Sequence, residues 1–82
     1  MSEENKLLQL LEQYDVTRGP AKFDVLISLR KFLQRSSDYE LMLLLKGITE
    51  LRHLRALLAA GPRGHVYKAV MARLYAVESG AV

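Results

Sequence analysis

The stretch from Leu41 to Leu58, LMLLLKGITELRHLRALL, limits what this chain can fold into more than any other segment. Five consecutive apolar residues, Leu41, Met42, Leu43, Leu44 and Leu45, leave a helix no polar side and predict a segment buried all round. Beyond Lys46-Gly47 the pattern changes. Ile48, Leu51, Leu54, Leu57 and Leu58 recur at helical spacing, while Arg52, His53 and Arg55 are expected to face away. This reads as a central helix, a break at Gly47, and a second, amphipathic helix. Ser37 and Glu40 form the capping-box pattern S-x-x-E, in which the hydroxyl takes the N3 amide and the acid reaches back. Thr49 is placed to cap the helix that restarts after the glycine. The competing arrangement is one helix from Asp38 to Ala60, weakened at Gly47 by about 1 kcal/mol relative to alanine.

The remaining chain carries the same helical signature. There are sixteen leucines and no alternation of β-branched residues. Ser2 can cap a first helix with Leu7, Leu8, Leu11 and Tyr14 as its stripe, and Glu3 and Glu4 suit the positive end of its dipole. Gly19-Pro20 ends the following turn, since proline tolerates the first turn of a helix. A second helix is predicted over about Pro20–Arg35. Phe23, Val25, Leu26, Ile27, Leu29, Phe32 and Leu33 cover most of its circumference, so it should meet two other helices or a partner chain. Gly61-Pro62-Arg63-Gly64 is the strongest turn signal, and a last helix should follow from about His65 to Glu78 with Val66, Val70, Leu74 and Val77 on one side. The expected fold is an all-α bundle of four to five helices with short loops, arranged as helix hairpins.

At 82 residues the chain has room for one domain and one core, with residues 1–5 and 79–82 expected to fray. A chain of this size buries roughly 60–65% of its unfolded surface, so self-association would add useful stability. With no cysteine, disulfides, thiolate metal sites and thiol catalysis are excluded. The opening MSEENKLLQ is acidic and polar, unlike a secretory signal, and the longest apolar run is far below the ~18 residues that span a bilayer. A soluble cytoplasmic protein is the expectation. The net charge of +3 permits polyanion binding without requiring it.

Two likenesses bear on function. Arg18-Gly19 and Arg63-Gly64 lie forty-five residues apart, and Val25 and Leu29 after the first align with Val70 and Leu74 after the second. A period in the forties resembles that of HEAT-type two-helix repeats, which stack into protein-binding solenoids. Separately, Gly61–Lys68 with Val70, Leu74 and Gly80 resembles part of a winged helix-turn-helix domain, where a VxxxVxxxL helix leads through a glycine turn into the wing. That resemblance implies that Arg63, His65, Lys68 and Arg73 face phosphates. The chain departs from it in having no hairpin for the wing and no additional short helix.

Catalytic and metal motifs are lacking. His53 and His65 are twelve residues apart with no HxxxH or HExxH spacing, and they read as surface or interface residues. Asp38 and Glu40 are explained by helix capping, and no nucleophile has an activating neighbour. The expectation is therefore a non-enzymatic protein–protein interaction module or regulatory adaptor. It would take no cofactor, metal or small-molecule substrate, and would bind a protein partner or a second copy as a homo-oligomer. The residues predicted to carry that contact are Arg52, His53, Arg55, Arg63, Tyr67, Lys68, Arg73 and Tyr75, because arginines and aromatics concentrate at interfaces. The alternative is a nucleic-acid-binding, helix-turn-helix-like regulator using the basic edge of residues 52–73.

Overall fold

Glycine and proline punctuate the chain where the sequence places them. Gly19 and Gly61 both adopt positive φ, 69° and 70°, immediately before a proline, a region open to glycine but strained for other residues. In a computed structural model that describes residues 3–80, five helices result: α1 Glu3–Val16, α2 Pro20–Arg35, α3 Asp38–Leu45, α4 Leu51–Ala59 and α5 Gly64–Glu78. No strand occurs among the described residues. The predicted Ser2 cap lies outside them, as do Ala81 and Val82. Helix α1 runs from Glu3, and the Ser79 and Gly80 amides close α5 by donating to the Tyr75 and Val77 carbonyls.

The break near Gly47 is present. The amides of Lys46, Gly47 and Ile48 bond carbonyls three residues back, a tightened final turn after α3. Ser37 caps α3 as its spacing predicts, its Oγ accepting from the Glu40 amide at 3.1 Å. Thr49 does not cap α4. The N-cap is Glu50, without a side-chain cap bond, because α4 begins only at Leu51.

The five-residue apolar run is not buried all round. Leu41 and Leu45 are buried, one turn apart, but Leu43 is 50% exposed. Helix α3 has only eight residues and packs chiefly against α5, so a single i, i+4 stripe suffices. Similarly, α2 buries only Leu29, Phe32 and Leu33, and Phe23 is 61% exposed. The wide apolar belt of α2 is thus covered only towards its C-terminal half, mainly by α1.

Helices α1 and α2 pair as one hairpin and α4 and α5 as another, with α1 packed on α4 and α3 on α5. Leu7 of α1, Leu33 of α2, Leu41 and Leu45 of α3, Leu57 of α4 and Val66 and Val70 of α5 converge on one spot. All five helices therefore share one core. The Arg-Gly echo does not mark equivalent turns. It is Gly19 and Gly61 that share a positive φ before a proline, and Gly64 is the first residue of α5.

Arginines join the ends of these helices. A helix leaves its last four carbonyls without intrahelical donors, and its C-terminus is the negative end of the dipole. Arg18 Nη1 donates to the Asp15 carbonyl in the last turn of α1, at 3.0 Å. Arg63 Nη2 donates to the carbonyl of Ser36, the C-cap of α2, at 2.7 Å. Arg73 donates through Nε to the Ile48 carbonyl and through Nη2 to that of Lys46, the C-cap of α3. Arg30 Nε donates to Ala60, the C-cap of α4, at 3.0 Å. Except for Arg18, each comes from a different helix or loop, 25 to 30 residues away. Helices α3 and α4 have no basic residue in their own last turn, and these arginines supply the missing charge.

Two consequences are measurable by urea unfolding. Leu54→Ala, at a position with no exposed surface, should cost about 2–5 kcal/mol, and Leu43→Ala under about 1 kcal/mol. Arg73→Ala should cost about 1.5–3 kcal/mol, the range for hydrogen bonds to charged groups. Arg73→Lys should not restore it, because one ammonium cannot reproduce the two-pronged guanidinium contact.

Candidate functional site

The eight residues singled out by sequence fall into three groups. Arg52 and His53 form one cluster, built where α4 crosses α1. Arg52 Nη2 contacts Glu12 Oε1 at 2.6 Å, its Nη1 contacts Asp15 Oδ2 at 2.8 Å, and its Nε contacts Glu50 Oε1 at 3.1 Å. The guanidinium thus joins both ends of the α1–α4 contact and the N-cap of α4. It lowers the carboxyls of Asp15 and Glu50 below their ordinary values of 3.8 and 4.5, chiefly by direct hydrogen bonds to the ionised form. Those carboxylates in turn raise Arg52 further, keeping it charged at any accessible pH.

His53 is only 4% exposed, where sequence spacing had it facing solvent. Ile48 lies in the linker before α4 and is not part of the α4 stripe, so the helix is rotated from the position its inclusion implies. The buried side of α4 is His53, Leu54, Ala56 and Leu57, because the helix is covered by α1 and by α5. His53 Nε2 lies 2.9 Å from Glu12 Oε1, where the carboxylate accepts, and Nδ1 lies 3.7 Å from Glu50 Oε2.

Carboxylates do therefore converge on a histidine. Ligand atoms of Glu12, Glu50 and His53 all lie within 4.8 Å of one another, a donor set of one imidazole and two carboxylates. A divalent cation would have to displace Arg52, whose guanidinium already sits on both carboxylates. As it stands the cluster neutralises itself. Glu12 and His53 are 41 residues apart, beyond the reach of any local motif. Only the polar interruption at Glu12 in the stripe of α1 signals it.

Arg63 and Arg73 make up the second group. Both are committed to helix C-termini, and Arg63 also pairs with Asp38, its Nε 2.8 Å from Oδ1. The third group stays outside. Arg55, Tyr67, Lys68 and Tyr75 are exposed, the two tyrosines by 45% and 65%, and none makes a side-chain hydrogen bond or ion pair among the described residues. Tyr67 and Tyr75 flank half-buried Met71 at spacings of four on α5, so these three lie along one side of that helix. No helix is long and apolar enough to cross a membrane among the described residues. The chain matches no protein-family model, no curated protein and no solved structure.

The Arg52 cluster predicts a pH-dependent contribution to stability. Asp15 and Glu50 have folded pKa values below their unfolded ones, so their contribution is complete above 4.5 and declines as pH falls through the lowered values. Thermal melts of the protein and of Arg52→Gln should differ most near neutral pH and converge in acid. A difference that grows on acidification contradicts the assignment. Because the pairs are half exposed, high salt should narrow the difference as well.

Proposed function

We propose that the protein is a small non-enzymatic helical module that binds a protein surface, a partner or a second copy of itself, through apolar and aromatic side chains left outside the bundle. One observation carries this reading. The fold uses Arg52, Arg63 and Arg73 internally while leaving Tyr67 and Tyr75 on α5, and Phe23 on α2, substantially exposed. Tyrosine combines a large rigid contact area with a polar tip, and aromatics concentrate at protein interfaces. Lys68 and Arg55 are available to form a polar rim.

The nucleic-acid reading loses ground by the same accounting. Of the basic edge over residues 52–73, Arg55, His65 and Lys68 alone have no internal partner among the described residues. Phosphate contacts made by guanidinium and ammonium groups dominate nucleic-acid affinity, so committing three arginines to the fold removes much of that edge.

Light scattering over a concentration series tests the proposal most directly in its self-associating form. The mass should exceed the 9.3 kDa monomer as concentration rises and return to it in Tyr67→Ser/Tyr75→Ser. The variant should keep its helical circular dichroism, since exposed positions contribute within about 0.5 kcal/mol. A strictly monomeric protein that binds an oligonucleotide at low salt, and loses that binding in Arg55→Gln/Lys68→Gln, overturns it.

A further inference from the structure

Internal pairing also shows which cations the fold does not use. Of seven arginines, Arg18, Arg30, Arg63 and Arg73 cap helix C-termini and Arg52 holds carboxylates. Arg35 and Arg55 remain without partners among the described residues. Arg35 is not isolated. With Lys31, four residues earlier on α2, and Lys6 on α1, it lines a cleft of about 530 Å³ between α1, the end of α2 and the start of α3. The side chains of Lys31 and Arg35 make no hydrogen bond or ion pair among the described residues.

We propose that this cleft binds a compact, multiply charged oxyanion, a phosphate-bearing small molecule. Three cations from two helices face one carboxylate there, that of Glu40. The negative features where α2 passes into α3 are already neutralised. Arg63 occupies both the Ser36 carbonyl at the end of α2 and the carboxylate of Asp38. The unbalanced positive charge therefore belongs to the cleft itself. Lys31 and Arg35, at i and i+4, share one side of α2 and repel each other unless an anion lies between them. Ser28 adds a hydroxyl at the same wall, and Leu10 and Phe32 supply an apolar surface against which an organic group can pack.

Shape argues for a small ligand over a nucleic-acid strand. The volume lies within the roughly 300–1,000 Å³ typical of small-molecule sites. Strand binding needs cations tracking a backbone, and here they gather in one concavity. The site is separate from the tyrosine side of α5, so each proposal stands or falls without the other.

The experiment is a backbone-amide NMR titration of the full chain with inorganic pyrophosphate at low salt. The expected result is saturable shifts confined to amides around Lys6, Lys31 and Arg35. Affinity should fall at least tenfold in Lys31→Gln/Arg35→Gln and stay unchanged in Lys22→Gln/Lys46→Gln, whose lysines lie elsewhere. Glu40→Gln should bind more tightly, a gain that misfolding cannot imitate. Shifts scattered over all lysines, equal losses in both double variants, or no tightening in Glu40→Gln overturn the proposal. So does saturation by a single-stranded oligonucleotide in the absence of any pyrophosphate response, which would make the cleft part of a nucleic-acid surface.

Discussion

The unsatisfied carbonyl ends of short helices are the central problem of this fold, and arginine is its solution. Eight- and nine-residue helices such as α3 and α4 gain little from propensity alone, because nucleating a helix fixes several residues for one hydrogen bond. They persist when tertiary contacts satisfy their ends and bury one stripe. Arg30 and Arg73 do the first, each reaching from another part of the chain to a C-terminal carbonyl, and Leu41, Leu45, Leu54 and Leu57 do the second. A guanidinium suits this work. It stays charged, its donors diverge in a plane, and its aliphatic stem can cross apolar surface. The same contacts hold the two hairpins and α3 in register, since each arginine links elements that are distant in sequence.

This use of arginine changes how the charge of the protein is understood. A net charge of +3 suggests a mildly basic surface open to any polyanion. Five of the seven arginines are instead directed at carbonyls or carboxylates within the fold. What stays available to a partner is narrower and more local: a cluster of cations beside α1 and α2, and an aromatic side of α5 with little charge committed near it.

Much of the architecture was legible in local sequence. Helix α2 runs over the residues its pattern marks, Ser37 caps α3 through the S-x-x-E spacing, and the breaks at Gly19-Pro20, Gly47 and Gly61-Pro62 separate helices. Each of these depends on interactions within about five residues. The candidate site was less legible. Arg52 and Arg55 look alike in sequence, yet one binds three carboxylates and the other binds nothing among the described residues. Leu43 looks as buried as Leu41 and is half exposed, and His53 looks exposed and is buried.

Helix identity and the positions of the turns thus belong to the sequence, because capping, propensity and glycine conformation act along the chain. Which side of each helix is covered, and which charge meets which, belong to the packing. Leu43 is exposed because α3 has one principal neighbour, and His53 is buried because α4 has two. Arg52 is neutralised because Glu12 and Asp15 on α1 come to lie beside it, 40 and 37 residues away. An amphipathic pattern records how much of a helix is apolar. It does not record how many helices arrive to cover it, and in this protein that number decides what remains for a partner.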